Sequence, residues 1–196
     1  RGENGMDGAK AMARMDELQR NWLDSSGQAS FCRSTADFTL EQTARLIGKA
    51  LGSAAGTDAV MVPIGMFQED GSELFAGITG KLYAGEIDTE VAATICPGTD
   101  GTYCVMSMTG AQAKELARAG FDATGSGNPF PYLLVTRGDE ELEDDAAYQV
   151  AFLAQGYTQE TAEAYGAQVR EASLRTILRE WLAKEKTVSP EGNPWE

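Results

Sequence analysis

Hydrophobic positions change period several times along this chain, and each change marks an element. From Ala9 to Leu23, Met12, Met15, Leu18 and Trp22 recur at helical spacing, and Ser25-Ser26-Gly27 ends the stripe. This helix follows a polar, Gly-rich start at residues 1–8 that is expected to fray, and it reads as a linker or docking element. A strand over Ala29–Ser34 is predicted next. Thr39-Leu-Glu-Gln42 then has the form of a capping box, with a hydroxyl at the N-cap and Gln42 three residues on. Leu40, Ala44, Ile47 and Leu51 form the buried face of the helix it opens, and Gly52 is expected to stop it.

Asp58–Ile64 and Glu73–Thr79 read as strands, and Asp88 as the cap of a short helix through Ala93. Tyr103–Met108 is predicted as a buried strand leading into a second capping box, Thr109-Gly-Ala-Gln112, and a helix to Gly120 with Leu116 and Ala117 inward. A loop at Thr124–Pro129 separates it from strands at Phe130–Thr136 and Tyr148–Ala154, which flank an acidic turn, Gly138–Asp145. Val169, Leu174, Ile177, Leu178, Trp181 and Leu182 predict one long amphipathic helix, with Pro190 beyond its end. Strands and helices mix without a regular βαβ period. The expected fold is therefore α+β: a tail and linker helix over residues 1–28, then one domain over 29–196 in which helices flank a mixed sheet.

Composition narrows what such a domain does. The 196 residues include 30 acidic and 16 basic ones, for a net charge of −14, and no Lys/Arg cluster interrupts that balance. A polyphosphate partner would be repelled, so no nucleic-acid role is expected. The longest apolar run, Ala59–Phe67, contains Pro63 and Gly65 and is too short to span a bilayer, so no membrane insertion by this chain is expected. It opens on Arg1 without a signal-peptide pattern, as expected of a fragment or processed product.

There is no histidine, which removes Ser-His-Asp triads, histidine acid/base chemistry and every His-containing zinc site from this chain. Cys32, Cys96 and Cys104 show no zinc spacing. Cys96 and Cys104 flank a loop and are candidates to pair in an oxidising compartment, although three separate half-buried thiols is the simpler reading. The acidic turn lacks the alternating ligands, central Gly and closing Glu of an EF-hand loop and reads as solvated. Gly125-Ser-Gly127 lacks the Lys-Ser/Thr of a phosphate loop. Tyr103 and Phe152 lie on predicted strands, where such rings are more often core than ligand clamp.

Several segments, in order, resemble the C-terminal domain of 5′-nucleotidases from about residue 29 to 190. Tyr103–Met108 followed by Thr109-Gly-Ala-Gln-Ala-Lys-Glu-Leu116 is similar to that family's strand-then-helix segment. Thr57-Asp-Ala-Val-Met61 is similar to the strand before its Asn-Gly-Gly-Ile-Arg loop, and Leu40–Leu51 to its early helix. Tyr148–Gly156 resembles the strand entering its Gly-Gly-Asp-Gly-Tyr/Phe motif, and Val188-Ser-Pro190 its closing segment. The resemblance implies a substrate-recognition domain in which two aromatic rings sandwich a nucleobase, at the positions of Tyr103 and Phe152. Arg33 and Arg45 are the nearby candidates for anion contact. It also implies an upstream metallophosphatase domain holding two divalent metals, a nucleoside or nucleotide ligand, and an extracellular or cell-surface setting. No cofactor and no catalytic residue are expected in this chain itself.

The polar grip of the family is altered. Val62-Pro-Ile-Gly-Met-Phe67 stands where its Asn and Arg would be, Gly156-Tyr-Thr-Gln159 where its ribose-contacting Asp would be, and Pro97-Gly-Thr-Asp100 where it has Pro-Phe-Gly-Asn. Without planar bidentate donors, binding of a phosphate-bearing ligand is expected to weaken. Two readings stay open: the recognition domain of a nucleotidase-type phosphoesterase, or a degenerate, non-enzymatic ligand-binding or interaction module.

Overall fold

The computed structural model describes residues 14, 15, 18, 30–64, 66–67, 73–75, 78, 80–96, 100–119, 132–153, 166–193 and 195. The chain divides into two units, Arg1–Ser30 and Phe31–Glu196. In the first, Arg14, Met15 and Leu18 are helical, within the helix predicted over Ala9–Leu23. The rest of that helix lies outside the described residues, as does the Thr124–Pro129 loop.

The second unit begins with strand β1 (Cys32–Ser34) and helix α1 (Leu40–Ala55). The predicted capping box forms: the Thr39 N–H donates to Gln42 Oε1 at 2.8 Å, and the Gln42 N–H donates to Thr39 Oγ1 at 3.2 Å. Ala44, Ile47 and Leu51 are fully buried, whereas Leu40 is only partly so. Gly52 does not stop the helix. It lies inside α1, and the left-handed residue that ends it is Gly56, at φ 66°. Strand β2 (Ala59–Pro63) follows, then β3 (Met66–Phe67), β4 (Glu73–Phe75) and β5 (Gly85–Ile87). The predicted Glu73–Thr79 strand is thus shorter, with Ile78 bridging separately to Ile64.

Asp88 caps helix α2 (Thr89–Ile95), its Oδ1 accepting from the Val91 N–H at 2.8 Å. Strand β6 (Asp100–Thr109) runs into helix α3 (Gly110–Ala119) through the second capping box. There the Thr109 N–H donates to Gln112 Oε1 at 2.9 Å, and the Gln112 N–H to Thr109 Oγ1 at 3.2 Å. Strand β7 (Tyr132–Thr136), a 3-10 turn (Arg137–Asp139), β8 (Ala147–Leu153), β9 (Gln168–Ser173), helix α4 (Leu174–Glu185) and β10 (Thr187–Val188) complete the unit. Val169, expected on the last helix, is instead on β9. Ser173 is the N-cap of α4, accepting from the Thr176 N–H.

Five strands in the order β7-β2-β8-β6-β9 make the main sheet. It is mixed: β2 runs parallel to β8, and every other neighbouring pair is antiparallel. Strand β2 is buried along its whole length because helices cover both faces of the sheet. On one face Val60, Val62, Tyr103, Val105, Val135 and Ala151 pack with the apolar sides of α1 and α4. On the other, Ala59, Met61, Cys104, Val150 and Phe152 pack with Ala113 and Leu116 of α3. Helix α1 sits so close that a Cβ at Gly48 would fall 2.9 Å from Cγ2 of both Val62 and Val135. A smaller sheet, β10-β1-β5, joins the start of the unit to its last strand. The fold is α+β, as the element pattern implied.

Candidate functional site

The candidate ligand rings lie on neighbouring strands of the main sheet. In the β6–β8 pairing, Cys104 is opposite Phe152 and Tyr103 is opposite Leu153. Residues opposite one another share a face, and successive residues alternate. Phe152 therefore shares the α3 face with Cys104, while Tyr103 points to the α1/α4 face. The clusters agree: Tyr103 packs in one and Phe152 in the other, at 7% and 3% exposure. The two rings therefore do not face one another. A sheet lies between the rings, and both serve as core.

The two candidate arginines are exposed and paired with carboxylates. Arg33 Nη1 donates to Glu86 Oε1 at 3.2 Å, across the register pair that joins β1 to β5. Arg45 donates from Nε and Nη2 to Glu41 Oε1, at 3.1 and 2.9 Å, one helical turn away. Exposed pairs of this kind are worth little energetically, so an incoming anion could displace either carboxylate. Arg45 also borders a cavity of about 270 Å³ with Phe38, Gln42, Lys49, Asp139 and the Ser189–Gly192 turn. Lys49 is tied to Asp139 at 2.7 Å, so the positive and negative charges around this cavity offset one another.

A second cavity, of about 300 Å³, is bordered by Asp58, Arg137, Gly138, Glu140, Leu142 and Tyr148. Asp58 and Arg137 there are committed to the fold. Asp58 Oδ2 accepts from the Gln149 N–H at 2.8 Å, and Arg137 Nη2 donates to the Thr57 carbonyl at 2.9 Å. The Arg137 guanidinium also lies over the Trp195 ring, 5.8 Å from its centre. Sequence reading misses this Arg137–Trp195 contact, because nothing local links a turn arginine to an aromatic near the far end of the unit. The acidic turn beside it is a solvated ion-pair cluster in which Lys114 Nζ donates to Glu141 at 3.1 Å and Asp144 at 2.9 Å. Those hydrogen bonds, Asp144 first, raise the Lys114 pKa.

Among the described residues, the buried groups whose pKa is shifted are not activated nucleophiles. Cys32, Cys96 and Cys104 are all buried. Burial pushes the Cys32 and Cys104 thiols up to about 11, and the Tyr132 phenol up to about 12. Low-pKa thiols are the reactive ones, and these are shifted the other way. Among the described residues, no three Cys, Asp or Glu side chains are placed to hold a metal ion.

The architecture is that of the C-terminal domain of 5′-nucleotidases. Three solved structures carry that likeness. A 5′-nucleotidase precursor from Thermus thermophilus matches 91% of this chain at a TM-score of 0.50 and 15% identity. The NAD nucleotidase NadN of Haemophilus influenzae matches 93% at 0.56 and 11% identity. The sulfate thiohydrolase SoxB of Thermus thermophilus, in complex with glycerol, matches 85% at 0.50 and 13% identity. The chain spans only 41%, 40% and 34% of those proteins, respectively. No protein-family model and no curated protein matches the chain.

Proposed function

We propose that this chain is the recognition domain of a nucleotidase-type phosphoesterase, binding a nucleoside or nucleotide for hydrolysis by a separate metal-bearing domain. The observation that carries this is the asymmetry of the fold likeness, which takes in nearly all of this chain but about two-fifths or less of each neighbour. Two divalent metals are assigned to the other domain. This chain has no histidine and, among the described residues, no three-ligand cluster, so its donor set does not fit them. Its own part is to hold and orient substrate, which lowers the entropic barrier to reaction. An extracellular or cell-surface setting follows from the same reading. No described helix is long and apolar enough to cross a membrane.

Calorimetry on the chain with adenosine, AMP and a panel of other nucleosides tests this. Saturable binding of one of them, without turnover, is the expected result. Metal-dependent hydrolysis of AMP by the chain alone would refute it.

A second reading has its own support. With Tyr103 and Phe152 on opposite faces and Arg33 and Arg45 paired to Glu86 and Glu41, the expected grip on a nucleotide is not assembled from those residues. A non-enzymatic binding or interaction module has no need of it. Failure of every nucleoside to bind would favour that module.

A further inference from the structure

Lysine is rarely found inside a protein, because its charge must be kept paired or solvated. Lys49, in the middle of α1, is 9% exposed, and among the described residues it is the one Lys or Arg that is buried. Its partner, Asp139, has a side chain that is 55% exposed. Arg45, one turn earlier, is tied to Glu41, whose side chain is 57% exposed. Both cations border the cavity of about 270 Å³, and both are neutralised by carboxylates that lie mostly in water. An exposed carboxylate gives up little on returning to water. The Lys49 ammonium needs an anion wherever that carboxylate goes.

The turn that carries Asp139 is held by other bonds. The Arg137 N–H donates to the Asp58 carbonyl at 2.9 Å, and the Gly138 N–H to the Trp195 carbonyl at 3.0 Å. Arg137 Nη2 adds its bond to the Thr57 carbonyl. Rotating the Asp139 side chain away from Lys49 breaks none of them.

Gln42, Arg45 and Lys49 lie at i, i+3 and i+7 on α1 and so share one face, and all three border the cavity. Their donors are not exhausted. Gln42 uses its Oε1 to accept from the Thr39 N–H, which leaves its NH2 group; Arg45 engages Nε and Nη2 with Glu41, which leaves Nη1. Apolar groups complete this wall: Phe38 and Leu46, both buried, and Pro190 from the turn after β10. Glu191, on the same turn, is exposed to solvent.

We propose that this cavity is a binding site for a small organic carboxylate. The ligand's carboxylate replaces Asp139 at Lys49 and engages Arg45, and its apolar body lies against Phe38, Leu46 and Pro190. Charged donors of this kind suit any oxyanion; the apolar part of the lining selects an organic acid over inorganic phosphate. Asp139 is the internal stand-in that keeps Lys49 paired until such a ligand arrives. The site stands whether or not the chain binds a nucleoside.

Nuclear magnetic resonance on the intact chain tests the site, with acetate, benzoate and inorganic phosphate titrated at fixed ionic strength. Benzoate should move the amides of Lys49, Asp139 and Gly192 saturably and bind about three-fold or more tighter than acetate or phosphate. Asp139→Asn removes the internal competitor and should tighten benzoate binding by about five-fold or more. Lys49→Met keeps the buried stem without the charge and should weaken it by about ten-fold. Absence of a saturable benzoate shift would overturn the site, as would phosphate binding as tight as benzoate or an affinity that either variant leaves unchanged. If Asp139→Asn does not fold, the unaltered chain and Lys49→Met decide.

Discussion

Lys49 Nζ lies 2.7 Å from Asp139 Oδ2, an ion pair that ties the middle of α1 to the 3-10 turn after β7. Its two ends differ: the lysine side chain is 11% exposed and the carboxylate 55%. The pair is therefore asymmetric under mutation. Asp139→Asn keeps a residue that tolerates the left-handed backbone but strands a nearly buried ammonium, and should cost about 1–3 kcal/mol. Lys49→Met keeps the packing of the aliphatic stem and leaves only an exposed carboxylate, so it should cost less than about 1 kcal/mol. Urea denaturation of the two variants checks the order.

Gly48 predicts a failure of helix propensity as a guide. Alanine is the better helix former by about 1 kcal/mol, yet a Cβ here meets Val62 and Val135 at 2.9 Å. Gly48→Ala should therefore destabilise, by about 1–3 kcal/mol from overpacking. A raised melting temperature in thermal denaturation would show that α1 can back away from the sheet at no cost.

Tyr103 and Phe152 call for a gentler test than truncation. Both are core, so alanine at either should cost about 3–5 kcal/mol, and lost binding in such a variant would report lost structure. Phe152→Leu should cost only about 1–3 kcal/mol and leave nucleoside affinity unchanged in calorimetry. Lost affinity in a variant that still melts cooperatively would mean that Phe152 touches the ligand.

The buried thiols and phenol set an alkaline limit on stability. Folded pKa values of about 11 for Cys32 and Cys104, against an ordinary 9.0, mean that the folded state favours the protonated thiols. Their contribution is complete below pH 9 and is lost as pH rises from 9 through 11; Tyr132, moved from 10.0 to about 12, extends the loss upward. Stability by circular dichroism should change little on their account between about pH 7 and 9, then fall. Both shifted thiols should resist alkylation at about pH 8 until the chain is unfolded.

What is legible in the sequence is mostly local. The capping boxes at Thr39 and Thr109 form because each needs only four residues and their own backbone. Strand β9 reads as helix in sequence because Val169 and Leu174 fit a helical stripe. It is a strand because β6 offers it a long antiparallel edge, with Val169 opposite Cys104. Gly52 looks like a terminator, but its lack of a side chain is used by Trp195, which arrives from the other end of the unit. The ring pair misleads for a related reason. Alternation says that a strand has two faces, while only the register of Cys104 on Phe152 says which residues share one.

The parallel pairing of β1 with β10 sets Arg33 beside Thr187 and Ser34 beside Val188. Emerging from a ribosome, β1 must wait for nearly all the rest of the unit before this partner exists. Closing so long a loop carries an entropic cost that grows only slowly with length, but contacts this distant in sequence slow folding. The small sheet is therefore completed after synthesis of the unit, and until then one edge of β1 is open to a neighbouring chain.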